Sequence, residues 1–127
     1  MEQYLIDTNV VSDYFSASLP LAGMLFMDTV IDTTPNISVI TQIEPLCWNT
    51  DAATEQNVKN FIADSLVLDI THEVITYCVA LRKNKKIKTP DAIIAATVLA
   101  YNFTIITNNE KDFGNIKGLK FVNPHRK

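Results

Sequence analysis

The sequence predicts an α/β fold: a central, mainly parallel sheet with helices on both faces. Short apolar runs of strand character alternate along the chain with segments whose apolar residues recur at helical spacing, the pattern of parallel strands joined by crossover helices. Two of the runs, around Tyr4-Leu5-Ile6 and Phe103-Thr104-Ile105-Ile106, lead into carboxylates and short polar residues. In open α/β sheets the carboxyl edge of the strands is where ligands bind.

The first strand ends at Asp7, and Asn9 to Phe15 reads as a helix. Leu19 to Ile31 reads as a second helix, with Leu21, Met24, Leu25 and Val30 at helical spacing. Asp32-Thr33-Thr34-Pro35-Asn36 breaks it. Ile37 to Ile40 is then a short strand, and a helix around Thr41 to Trp48 carries Glu44. Val58, Phe61 and Ile62 mark the next helix and Leu66-Val67-Leu68 the next strand. Thr71 is placed to cap a helix whose apolar face is Val74, Cys78 and Leu81 and whose end is basic.

Thr89 as N-cap and Pro90 at the first helical position would start the following helix just before Asp91. From Ala92 to Ala100 that helix holds no charge and one hydroxyl, and a helix apolar all round belongs in a core. Asn102 is placed as a left-handed C-cap before a strand from Phe103 to Thr107. A last strand, Leu119 to Val122, stops at Pro124.

At 127 residues the chain suits one domain, residues 1–127, with a loose tail after about residue 124. A composition 47% hydrophobic and 20% charged argues against a disordered chain. Cys47 and Cys78 lie in helical patterns without metal-ligand spacing, as reduced core residues of a cytoplasmic protein would. Neither a basic leader nor an apolar stretch of roughly 18 residues is present, so no membrane association is expected.

The net charge of −3 hides an asymmetry: residues 1–81 carry eleven acids and one base, Lys59, whereas residues 82–127 carry ten bases and three acids. Five of those bases, Arg82, Lys83, Lys85, Lys86 and Lys88, fall within seven residues just ahead of Asp91. Such a cluster beside carboxylates suits a site that holds a phosphate backbone, as in RNA. It equally suits a solvated helix end, where cations are stabilising on their own.

Asp7 leaves the first strand, Asp91 heads a buried helix, and Asp112 lies five residues beyond Thr107. Glu44 is the only acid between residues 33 and 50 and sits among Val39, Ile40, Ile43 and Leu46. Carboxylates brought together repel, which makes sense when a divalent cation neutralises them, and all-oxygen ligands suit Mg²⁺ or Mn²⁺. The matching chemistry is hydrolysis of a phosphodiester by metal-activated water. Thr8, Asn9, Thr107 and Asn109, short polar residues at the same edge, suit orienting the carboxylates or a metal's water. Each serves equally well as a cap or turn residue.

Asp7-Thr8-Asn9 with Ser12, then Glu44, then Pro90-Asp91-Ala92-Ile93-Ile94-Ala95-Ala96, then Thr107-Asn108-Asn109-Glu110-Lys111-Asp112-Phe113, together resemble the PIN domain, and more closely its VapC-type toxins of type II toxin–antitoxin pairs. The resemblance runs from Tyr4 to Pro124. It implies a three-layer α/β/α sandwich and a Mg²⁺- or Mn²⁺-dependent endoribonuclease. Its acidic site would be Asp7, Glu44, Asp91 and Asp112, with Thr107 positioning the metal or its water. It further implies a homodimer and a cognate antitoxin seated near the N-terminal helices. The apolar stretch Leu19 to Met27 suits that partner, or a place in the core.

One departure is Pro45, directly after Glu44, which would remove a helical hydrogen bond to Thr41 and turn Glu44 aside. A non-cutting binder of RNA or antitoxin is the alternative in that case. A phosphoacceptor receiver domain is the rival from another class, with Asp69 after Leu66-Val67-Leu68 as acceptor. It would want paired acids after the first strand, where Asp7 is followed by Thr8 and Asn9.

Overall fold

The computed structural model describes residues 2–127, and in it the five apolar runs form one sheet of three-residue strands. These are β1 (Tyr4–Ile6), β2 (Asn36–Ser38), β3 (Leu66–Leu68), β4 (Thr104–Ile106) and β5 (Lys120–Val122). Their spatial order is β3-β2-β1-β4-β5, and every neighbouring pair is parallel. The chain winds outward from β1 to β3 and then returns to the other side of β1 for β4, so the direction of winding reverses between β1 and β4. Leu5 pairs with Ile105 and Ile6 with Ile106, which brings the carboxyl ends of those two strands level.

Seven α-helices accompany the strands among the described residues: α1 (Thr8–Phe15), α2 (Leu21–Asp32), α3 (Val39–Ile43), α4 (Ala52–Ala63), α5 (His72–Asn84), α6 (Thr89–Tyr101) and α7 (Glu110–Phe113). Side chains alternate across a strand, so the sheet feeds two cores. On one face Leu5, Leu68 and Ile105 meet Ala92, Ile94, Ala95 and Val98 of α6, with Phe113. On the other, Ile6, Ile37 and Ile106 meet Val10, Val11, Met27, Val30 and Phe61 from α1, α2 and α4. The fold is the expected α/β/α sandwich on a parallel sheet.

The α6 helix is buried from Ala92 to Val98 apart from Ile93, which is partly exposed. Its one hydroxyl, on Thr97, donates to the Ile93 carbonyl at 2.7 Å and so is satisfied inside the core. Asn102 closes the helix in the left-handed conformation (φ 57°, ψ 46°), a position that Asn tolerates. The start differs by one residue from expectation. Lys88 occupies the N-cap without a side-chain bond and Thr89 is already helical. The Lys88 carbonyl accepts from Ala92 N–H at 2.9 Å, and Pro90 has no amide to leave unpaired in the first turn.

The strand expected at Ile37 to Ile40 ends at Ser38, whose hydroxyl caps α3 by accepting from Thr41 N–H at 3.2 Å. The helix expected around Thr41 to Trp48 divides at Pro45, with α3 ending at Ile43 and a 3₁₀ turn running from Glu44 to Cys47. Pro45 lacks the amide an α-helix needs there, and the tighter turn leaves Cys47 exposed rather than in the core. The Leu19 to Met27 stretch serves two faces: Leu19, Gly23 and Met27 are buried, whereas Leu21 and Leu25 face outward. No helix among the described residues is long and apolar enough to cross a membrane.

The segment after about residue 124, where the sequence suggests a loose tail, carries contacts in the structure. Pro124–Arg126 form a 3₁₀ turn with Pro124 buried, Arg126 pairs with Glu110 at 2.8 Å, and Lys127 lies over the Phe26 ring. The backbone of Pro124 packs against Gly23 of α2 so closely that a methyl group at residue 23 would stand 2.1 Å from the Pro124 carbonyl oxygen. Gly23→Ala should therefore lower the unfolding free energy in urea by about 1–3 kcal/mol. Deleting residues 124–127 should erase most of the difference between the two chains. An unchanged midpoint for Gly23→Ala would contradict this docking.

Candidate active site

Asp7 sits at the reversal of winding. Strand β1 delivers it as the N-cap of α1, with its own amide donating to the Ile106 carbonyl of β4 at 2.9 Å. One carboxylate oxygen accepts from Thr8 N–H and the other from the Thr107 hydroxyl, both at 2.9 Å. The residue is 2% exposed. Burial pushes its pKa from 3.8 up to about 6, the Thr107 and Thr8 hydrogen bonds oppose the rise, and the negative charges of Asp91 and Glu44 add to it.

Asp91 is the third residue of α6 and partly buried. Its carboxyl is also held above the usual range, first by burial and then by the charges of Asp112 and Glu44, with Lys88 acting the other way. Asp112 is fixed by the cap of α7: Asn109 accepts the Asp112 amide at 3.2 Å and donates from Nδ2 to its carboxylate at 3.0 Å. Glu44 opens the 3₁₀ turn and stays within electrostatic reach of both Asp7 and Asp91. Pro45 therefore bends the helix without removing Glu44 from the other acids.

Of the four polar residues expected to support the acids, three are tied to them. Thr107 holds Asp7 and in turn accepts the Asn109 amide at 3.0 Å, while Asn109 holds Asp112. The Thr8 hydroxyl lies 3.0 Å from that of Thr41, which neighbours Ser38. Asn9 is exposed and makes no side-chain hydrogen bond among the described residues.

A second polar chain was not visible in the sequence. Asn108 Nδ2 donates to Asp13 at 2.7 Å, and His125 Nε2 lies 2.8 Å from the same oxygen. It ties the loop after β4 to α1 and to the tail. Its three members are 95 and 112 residues apart in sequence, and none carries a local motif.

The basic run divides. Arg82 donates to the Ile87 carbonyl and Lys85 to the Asn115 carbonyl, so both brace the α5–α6 connection and α7's exit. Lys83, Lys86 and Lys88 are exposed without a side-chain hydrogen bond or ion pair among the described residues. Asp69, the acceptor in the receiver-domain reading, is exposed after β3, an edge strand two positions from β1.

Among the described residues no three Asp, Glu, His or Cys side chains already stand as a ready-made metal cage. The donor chemistry nevertheless fits a hard divalent cation: four carboxylates, no sulfur or imidazole, and two acids whose ionised form is disfavoured by burial and like charge. An ion held by these carboxylates would relieve both costs. In its absence the folded state binds a proton at Asp7 more tightly than the unfolded chain, so stability falls as pH rises from about 4 through about 6 and levels off above. Asp7→Asn should raise the metal-free unfolding free energy by about 1–3 kcal/mol at pH 7 and by little at pH 4. Equal stability of the two chains at pH 7 would contradict the strained carboxylate.

Residues 4–119 match the PIN domain family. The structure also superposes on chains of known toxin–antitoxin assemblies. With a toxin–antitoxin complex from Klebsiella pneumoniae it shares 31% identity at a TM-score of 0.77, covering 96% of this chain and 98% of that one. With DNA-bound VapBC from Salmonella typhimurium it shares 21% identity at a TM-score of 0.79, covering 98% and 99%. With VapBC2 from Rickettsia felis bound to a promoter DNA fragment the values are 23% and 0.76, covering 94% and 97%. Comparison with curated proteins gives no significant match. Over nearly its whole length, and with the fold found in these toxin–antitoxin complexes, the chain belongs to the PIN domain family.

Proposed function

We propose that this chain is the VapC-type toxin of a toxin–antitoxin pair, an endoribonuclease of the cytoplasm that depends on Mg²⁺ or Mn²⁺. The observation that carries this reading is the buried, charge-strained Asp7 at the β1–β4 reversal, with Asp91 and Glu44 within electrostatic reach of it and Asp112 within reach of Asp91. Asp7 and Asp91 would be the principal ligands, with Glu44 and Asp112 completing the site. A divalent cation there supplies Lewis acidity toward a phosphodiester and activates water for its hydrolysis.

The chain's own residues do the rest. Thr107 and Thr8 fix the Asp7 carboxylate in one rotamer, and Asn109 fixes Asp112, so the acids keep their positions when a substrate arrives. Lys88, whose charge acts on Asp91, and the exposed Lys83 and Lys86 close to it in sequence would be contacts for flanking phosphates. Arg82 and Lys85, which the sequence placed in the same role, contribute mainly by bracing the backbone.

The antitoxin reading rests on the likeness to the toxin–antitoxin complexes above and on α2, where Leu21 (76% exposed) and Leu25 (57%) present an unpartnered apolar ridge. Ile75 and Val79, one turn apart and half exposed on α5, offer a comparable face for a second copy of the chain.

The purified protein, free of antitoxin, should cut total cellular RNA at discrete positions with Mg²⁺ and fail to do so with EDTA or as Asp7→Asn. Cleavage that survives both controls would remove the acidic site from the reaction. A folded chain that binds Mn²⁺ but never cuts would favour the non-cutting binder. Lys83→Ala with Lys86→Ala and Lys88→Ala should weaken RNA binding and reduce the slope of log affinity against log salt by about 2. Arg82→Ala should instead lower stability with little change in that slope.

A further inference from the structure

A cavity of about 290 Å³ opens where α1, the 3₁₀ turn of Glu44–Cys47 and α4 pack together, lined by Phe15, Trp48, Ser12, Asn49, Thr50 and their neighbours. Its lining holds two aromatic rings and several hydroxyl or amide groups, and no ionisable side chain. That composition suits neither a phosphate nor a charged peptide side chain. Its volume is at the small end for ligand sites, the scale of a single planar ring system with its sugar.

Both walls are continuous with the acidic site. Ser12 lies on the helix capped by Asp7, about 7 Å along its axis, and Trp48 ends the turn that Glu44 begins. Among the described residues the indole N–H of Trp48 has no partner and is not buried, and the Ser12, Asn49 and Thr50 side chains make no hydrogen bonds. Aromatic faces flanked by uncommitted neutral donors and acceptors are what proteins use to stack an unpaired base and read its edge.

We infer that this cavity is a nucleobase subsite, in which Trp48 stacks a base next to the phosphodiester presented to the acids while Asn49 and Ser12 contact its edge. The inference rests on the ribonuclease reading for the identity of the strand, but binding there needs no catalysis. Trp48 is the chain's single tryptophan, so its fluorescence reports this cavity alone.

The test titrates the wild-type protein in EDTA with ribotrinucleotides of each base and with an abasic sugar–phosphate of equal charge. Trinucleotides should quench Trp48 saturably, with one base preferred, and the abasic strand should not. Trp48→Leu should weaken labelled trinucleotide binding by roughly 5- to 100-fold, with Trp48→Phe recovering most of it. Asn49→Ala, at an exposed side chain that leaves the core untouched, should flatten the base preference. Unquenched fluorescence, equal quenching by the abasic strand, or unchanged affinity of Trp48→Leu would overturn the inference. Protein that cuts RNA while Trp48 stays silent would refute the subsite and leave the nuclease reading intact. Base-dependent quenching in a chain that never cuts would keep the subsite and remove the nuclease reading.

Discussion

The carboxylate of Asp7, shut between β1 and β4, is the constraint around which this fold is organised. A buried anion is costly unless it is hydrogen-bonded and neutralised. Here the backbone of Thr8 and the hydroxyl of Thr107 supply the hydrogen bonds, and no basic group among the described residues supplies the neutralisation. Lys88 reaches only as far as Asp91. The molecule thus holds an electrostatic debt in its sheet edge, which is the condition expected of a cation site rather than of a structural carboxylate.

Rigidity at that edge comes from the two cores. Ile6 and Ile106 point to one face and Leu5 and Ile105 to the other, so the β1–β4 pair is clamped by helices on both sides directly below Asp7 and Thr107. A shift of one strand by a residue would exchange its faces and carry the acid out of line. The α6 helix adds a second fixed point, because its burial leaves Asp91 no freedom to slide. Asn108, Asp13 and His125 tie the loop after β4 to α1 and the tail, which gives the last residues of the chain a part in holding the site's surroundings.

Much of this was legible in the residues themselves. Asp7 and Asp91 stand out because each is a lone acid beside a run fit only for burial, and short apolar strands between helical segments give the parallel sheet. What escaped were features decided by contacts distant in sequence. Nothing local distinguishes Thr41 and Ser38 from ordinary helix-cap residues. Arg82 and Lys85 look like Lys83 and Lys86 until their carbonyl partners are seen. The contacts of the last residues are not legible because their partners, Gly23, Asp13 and Glu110, are far upstream or on another element. Pro45 was legible as a break, but the response of the chain was not: a 3₁₀ turn absorbs the missing amide and leaves Glu44 among the acids.

The central claim is that the acids form one cation site whose frustrated charge an ion relieves. It is tested most directly by calorimetric titration of Mn²⁺ into the protein at pH 6, in two buffers of different ionisation enthalpy. With the Asp7 pKa at about 6, binding should expel about half a proton from that carboxyl, and the release should be smaller in Asp7→Asn, where Asp91 is the remaining raised carboxyl. Binding with no proton release, or release that persists unchanged in Asp7→Asn, would contradict the account.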